Sequence, residues 1–150
     1  MSDYIPLDWS TYSLNIADVV RTKSKDPSTQ VGAVIVGPNN QIVSTGFNGF
    51  PRGINEWSPK RWERPLKYSY VEHAERNAIY NAVRPILEGC TMYTVGFGPP
   101  NVPCTDCARA VIQSGIIRVV GRPTKPAAER WTDNLAVANE MLAEAGVHVS

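Results

Sequence analysis

At 150 residues, 43% hydrophobic and 19% charged, the chain has the make-up of an ordinary globular domain, long enough to bury a core without disulfide staples. Fifteen basic against fourteen acidic residues leave a net charge of +1, which excludes a protein built throughout to hold nucleic acid. Three cysteines, an odd number, exclude a closed disulfide framework and leave metal or redox chemistry as the use for a close pair.

The opening MSDYIPLDWS has neither the basic nor the apolar region of a secretion signal. No apolar run approaches the roughly 20 residues of a membrane span. The expectation is one domain over 1–150, in the cytoplasm, without a membrane partner. From Trp9 to about Lys23, apolar residues recur at helical spacing behind Asp8, a natural N-cap. Residues 30–36 (QVGAVIV) predict a buried strand, 37–40 (GPNN) a turn, and 41–47 (QIVSTGF) the second strand of a hairpin.

Residues 48–70 are irregular, with three prolines and several aromatic and basic side chains. A loop of that length within a compact domain is usually functional, and disordered segments are poor in the aromatics it carries. A helix is predicted from about Val71 to Val83, a strand over 91–95, and a loop over 96–102. A second helix starts at Pro103–Cys104 and ends near Gly115, where glycine suits the position after a helix. A strand at 116–120, an amphipathic helix at 127–145 and a last strand from Val147 to Val149 complete the chain. Helices alternating with strands after a hairpin predict an α/β fold in three layers, with a mixed sheet between helices.

Two short stretches carry the chemistry. VEHAER places His73 two residues before Glu75 at a predicted helix start, and VPCTDCAR places Cys104 and Cys107 three apart in the first turn of another. Three residues apart on a helix is one face, and the positive end of the helix dipole favours the thiolates a metal needs. Two thiolates and one imidazole give Zn²⁺ three ligands and leave its fourth position open, the arrangement of a catalytic rather than a structural zinc. Cys90 could close the site as a fourth ligand, but it stands before a strand without ligand spacing and reads as a core residue; His148 is weaker still. A water on such a zinc has its pKa lowered from 15.7 to roughly 7. Glu75 is the group placed to carry its protons, and His-x-Glu followed by Pro-Cys-x-x-Cys is the pattern of the zinc nucleobase deaminases.

The blocks SKDPSTQVGAVIV, GFNGFPRG, KYSYVEHAERNAIYNA and PCTDCARAVIQSGI, in that order, resemble the deoxycytidylate (dCMP) deaminase family from about Ser24 to Val149. The resemblance implies the cytidine deaminase fold, a five-stranded mixed sheet sandwiched by helices, and hydrolysis of dCMP to dUMP and ammonia, which supplies dUMP for thymidylate synthesis. It implies one catalytic Zn²⁺ on His73, Cys104 and Cys107, with Glu75 as proton shuttle. Asn48 would hydrogen-bond the deoxyribose hydroxyl, and the backbone around Ala74 would read the cytosine edge. Ser24, Lys25 and Arg84 are candidates for the substrate phosphate. Gly49, Phe50, Arg52, Gly53 and Asn55 lie where the family's effectors bind, dCTP as activator with Mg²⁺ and dTTP as inhibitor, and the family's members are commonly homohexamers. Arg52, Lys60, Arg61 and Arg64 could meet a triphosphate. The 96–102 loop is longer than expected, and the chain has too few Cys and His for the second, structural zinc of some phage members. Two other readings compete: a tRNA or other nucleobase deaminase of the same fold, and an inactive zinc-stabilised binding module using Trp57 and Trp62.

Overall fold

A computed structural model describes residues 3–83, 85–96 and 101–150. Helix α1 (Trp9–Arg21) starts where the sequence predicts it, with the Asp8 carboxylate accepting from the Thr11 N–H at 2.9 Å. Strands β1 (Gly32–Val36) and β2 (Ile42–Phe47) form the expected antiparallel hairpin. Strands β3 (Thr91–Val95), β4 (Arg118–Arg122) and β5 (His148–Val149) extend it to a five-stranded sheet in the order β2-β1-β3-β4-β5. The β1–β3 pair is antiparallel, and β3, β4 and β5 are mutually parallel, so the sheet is mixed.

Both faces of the sheet are covered. Ala33, Ile35, Met92 and Val119 point into one core, shared with α3 (Ala74–Asn81), α4 (Thr105–Ser114) and α5 (Thr132–Glu144). Val34, Val36, Tyr93, Val95 and Val120 point the other way, against Ala17 and its neighbours on α1. Burial on both faces is why GAVIV is an unbroken apolar run rather than an alternating one. The three-layer α/β architecture read from the sequence is the one observed.

Several boundaries differ, each for a local reason. The helix expected from Val71 begins only at Ala74, because the backbone of Glu72 pairs instead with Gly49, donating to its carbonyl at 2.8 Å and accepting from its N–H at 3.1 Å. A short helix, α2 (Lys67–Tyr70), precedes that bridge, and a 3₁₀ turn covers Pro59–Trp62, so the 48–70 segment is more ordered than its composition predicts. The helix expected from residue 127 starts at Thr132, behind a 3₁₀ turn at Glu129–Trp131. The strand expected at 116–120 runs over 118–122, since Ile116 is spent filling the core after the left-handed Gly115 (φ 83°) ends α4.

Helix α3 lies directly on β2. A Cβ at Gly46 would stand 2.3 Å from the Ala78 nitrogen and 2.5 Å from the Ala74 oxygen, so glycine alone permits the approach. Ser44 Oγ donates to the Ala78 carbonyl at 2.7 Å, and Asn77 Nδ2 to the Phe47 carbonyl at 2.8 Å. These contacts fix the start of α3, and everything it carries, against the rigid sheet.

Candidate metal and catalytic site

His73 is the N-cap residue of α3 and Cys104 that of α4, while Cys107 lies in the first turn of α4. The α4 start is tied to α5: Asn134 accepts from the Thr105 N–H and donates to its hydroxyl, both at 3.0 Å. With both helix starts held, His73 Nδ1 stands 3.3 Å from Cys104 Sγ and 3.4 Å from Cys107 Sγ. A tetrahedral zinc with ordinary Zn–N and Zn–S bonds sets its nitrogen and sulfur ligands roughly 3.6 Å apart, so the three side chains fit the ion with little adjustment. Among the described residues they form the one group of three His, Cys or acidic side chains close enough to hold a metal.

Glu75 points into the same place, its Oε2 accepting from Cys107 Sγ at 3.5 Å, and it is buried. Burial raises its carboxyl pKa above the ordinary range, as suits a group that must take up and release protons near neutrality. The Cys104 thiol is brought down to about 4, first by the hydrogen bond from Cys107 and then, against its burial, by His73. Cys107 is pushed well above its usual value by its contact with Cys104, by burial and by the Glu75 charge. His73 is raised: burial would lower it, but the bond to Cys104 and the Glu75 charge outweigh that. A metal entering here would bind the thiolates and displace any proton the two thiols still hold.

The site opens into a solvent-accessible pocket. His73, Ala74, Glu75 and Cys104 line it together with Asp26, Thr29, Val31, Asn48, Arg64, Lys67, Tyr68, Val71, Arg130 and Trp131. The structure thus brings Asn48, Ala74, Glu75 and the metal group together. It does not bring Ser24 or Lys25 to the pocket. Ser24 Oγ donates to the Asn48 carbonyl at 2.8 Å, and Lys25 pairs with Glu56 at 3.5 Å beside Trp57. Arg84 and residues 97–100 of the 96–102 loop lie outside the described residues. Cys90 is fully buried in the main core with Sγ donating to the Ile86 carbonyl at 3.0 Å, apart from the metal group.

The effector candidates form a separate shelf. Gly49 is in the bridge to Glu72; Phe50 is buried and stacked on Trp62 at 4.1 Å; Arg52 donates to Asn81 at 3.1 Å. Gly53 has a φ of 83° with nothing near it, and the Asn55 side chain caps the Trp57 N–H at 2.9 Å. Arg61 lies over Tyr70 at 4.8 Å, whereas Arg64 serves the main pocket.

Four charged or aromatic residues among those that escaped the sequence reading bear on the chemistry of the pocket: Asp26, Lys67, Arg130 and Trp131. Asp26 and Lys67 form an ion pair at 2.6 Å with both side chains almost wholly buried. The Asp-Pro-Ser-Thr run was a visible signal for an aspartate that caps its own turn. Lys67 carried none, being one lysine in a basic loop. Arg130 and Trp131 reach the pocket because the 3₁₀ turn, absent from the predicted helix, re-aims them.

Residues 7–122 match the model of the cytidine and deoxycytidylate deaminase zinc-binding region. An uncharacterized deaminase from the luxG 3′ region of Aliivibrio fischeri is 43% identical over 143 residues, which cover 95% of this chain and 92% of that protein. Human deoxycytidylate deaminase is 41% identical over 120 residues, 76% of this chain; the match spans 64% of the human protein's length. The dCMP deaminase of cyanophage S-TIM5, solved with dCMP and dUMP, shares the fold, with a TM-score of 0.72 over 98% of both chains at 24% identity.

Proposed function

This chain belongs to the cytidine and deoxycytidylate deaminase family, and from that premise we propose that it hydrolyses dCMP to dUMP and ammonia. The observation that carries the proposal is Glu75 buried beside the His73–Cys104–Cys107 group, on the wall of an open pocket. Zinc held by those three residues would supply the Lewis acidity that makes a water nucleophilic at neutral pH.

The chain's own residues do the rest. The Glu75 carboxylate takes a proton from the attacking water, whose oxygen bonds to C4 of the base, and delivers it to ring nitrogen N3; it then moves the remaining hydroxyl proton from the C4 oxygen to the departing amine. The C4–N bond breaks, ammonia leaves and a carbonyl remains at C4. Backbone N–H groups at the start of α3, around Ala74, face the pyrimidine edge, where helix geometry leaves them without intrahelical partners. Asn48 meets the sugar hydroxyl. Arg64 and Arg130, which line the pocket, are the cations for the 5′-phosphate, in place of Ser24 and Lys25.

The proposal extends to one deaminase domain over 1–150, in the cytoplasm, acting as a homohexamer with dCTP–Mg²⁺ as activator and dTTP as inhibitor at the Gly49–Asn55 shelf. The described helices include none long and apolar enough to cross a membrane. The exposed backbone at Gly53 and the exposed Arg52 support that shelf, since glycine admits a ligand close to the chain. Velocity sigmoidal in dCMP, hyperbolic with dCTP and depressed by dTTP is expected; hyperbolic kinetics indifferent to both nucleotides reject regulation alone.

Ammonia release from cytidine, deoxycytidine, dCMP, dCTP and a tRNA tests the substrate. Turnover of dCMP well above the others is expected. Turnover of the tRNA alone, or of nothing by a zinc-loaded protein, overturns it.

A further inference from the structure

We infer that Asp26, paired with Lys67, is a positioning residue that locks the Asn48 amide so that the pocket offers the substrate sugar an acceptor and no donor. The inference rests on the proposed nucleotide substrate and concerns which chemistry of the sugar is read.

Asn48 is held at its backbone by its N–H to the Val31 carbonyl at 3.3 Å and by Ser24 Oγ on its own carbonyl at 2.8 Å. Its side chain has three further partners. The Val31 N–H donates to Oδ1 at 2.8 Å, while Nδ2 donates to the Thr29 carbonyl at 2.8 Å and to Asp26 Oδ2 at 3.2 Å. A backbone N–H can only donate; a carbonyl and an ionised carboxylate can only accept. Turning the amide over would set donor against donor once and acceptor against acceptor twice, so its orientation is fixed by chemistry. Both hydrogens of Nδ2 and one lone pair of Oδ1 are committed. What remains on this pocket-lining residue is the second lone pair of Oδ1.

Asp26 governs this twice over. Directly, it takes one Nδ2 hydrogen. Indirectly, its other oxygen accepts from Ser28 N at 2.9 Å, Ser28 Oγ at 3.1 Å and Thr29 N at 3.1 Å, which sets the turn that presents the Thr29 carbonyl. A carboxylate this buried would tend to protonate, and a protonated Asp26 could donate to Asn48 and undo the lock. Lys67 Nζ, 2.6 Å away and also bonded to Ser28 Oγ at 3.1 Å, keeps it charged. The pocket therefore selects a sugar whose hydroxyl donates, such as the 3′-hydroxyl of a deoxynucleotide.

The test compares dCMP with its 3′-fluoro-3′-deoxy analogue, which cannot donate, and its 3′-amino-3′-deoxy analogue, whose amine can. In the wild type, kcat/KM should fall about tenfold for the fluoro analogue and stay within about threefold for the amino analogue. Asp26→Asn and Lys67→Met should retain zinc yet shrink the hydroxyl-over-fluoro preference below about threefold, a change that general loosening of the fold does not produce. A wild type that accepts the fluoro analogue as well as dCMP overturns the acceptor assignment. Variants that keep the tenfold preference overturn the role of the ion pair. If both variants fail to fold, Ser28→Ala, which removes one donor from Asp26 and one acceptor from Lys67, takes their place: a lowered preference supports the lock and an unchanged one overturns it. Absence of dCMP turnover refutes the substrate instead, and the same comparison on deoxycytidine then still decides the lock.

Discussion

Replacing Glu75 by Gln separates the proton carrier from the metal ligands. The amide has the volume of the carboxyl but cannot take a proton from water. Of the two carboxyls lining the pocket, only Glu75 can serve: Asp26 is occupied by Lys67, Asn48, Ser28 and Thr29, so it offers no relief. General acid–base catalysis contributes about 10²- to 10⁴-fold, and one residue here handles several transfers. The loss should sit at the upper end, about 10⁴-fold, or roughly 5.5 kcal/mol of barrier. The metal should stay, because the His73, Cys104 and Cys107 contacts at 3.3 and 3.4 Å do not involve Glu75. The melting temperature should move by no more than about 3 °C, under roughly 1 kcal/mol. The assay is initial-rate ammonia release from dCMP at saturation, with zinc content and thermal melting on the same preparation. More than about a tenth of wild-type turnover refutes the shuttle; loss of zinc with the activity refutes the separation of roles.

Cys104→Ser should lose zinc and activity together, whereas Cys90→Ser should keep both, since its thiol only fills core and bonds to Ile86; elemental analysis decides, and zinc lost from the Cys90 variant would restore it as a ligand. Gly46→Ala should cost more than about 2 kcal/mol in denaturant unfolding and lower kcat, because a methyl 2.3 Å from the Ala78 nitrogen must push α3 off β2; a variant as stable and active as wild type refutes that packing. Asp26→Asn should cost about 3–5 kcal/mol at pH 7 by leaving Lys67 buried without its counter-charge. The folded-state pKa of Asp26 is lowered by Lys67 and the Ser28 and Thr29 amides against its burial, so its contribution is complete above the ordinary 3.8 and disappears as pH falls through the lowered value. The stability gap between wild type and variant should therefore narrow below pH 3.8, and a gap as wide at about pH 2 as at pH 7 refutes the assignment.

The fold was legible where local and global signals agree. GAVIV could be read as a two-sided buried strand because the run is too short for a helix and β-branched, and the position of Gly115 marked the end of α4. Boundaries failed where a distant partner outbids the local preference. Val71 and Glu72 could continue a helix, but Gly49 offers Glu72 two backbone bonds from twenty-three positions upstream, and nothing in the local spacing announces it. At 127–131 the pattern continues the helix, yet a 3₁₀ turn at Glu129–Trp131 leaves Arg130 and Trp131 at the pocket.

The two halves of the site differ in the same way. The catalytic half sits on two helix starts, so its geometry follows from sequence separation: His73 and Glu75 flank one start, and Cys104 and Cys107 share the first turn of the other. Only the meeting of the two starts needs the fold, and Gly46 beneath α3 and Asn134 beside α4 secure it. The half that faces the sugar is made of pairs far apart in the chain, Asp26 with Lys67 and Asn48 with Thr29 and Val31, none of which has a spacing rule. Asn48 alone was found, through the resemblance of its block; an amide by itself can donate or accept, and its block does not say which. The buried pair removes that freedom. A side chain's identity says what it can bind; the partners that occupy its other atoms decide which of those bonds is left for the substrate.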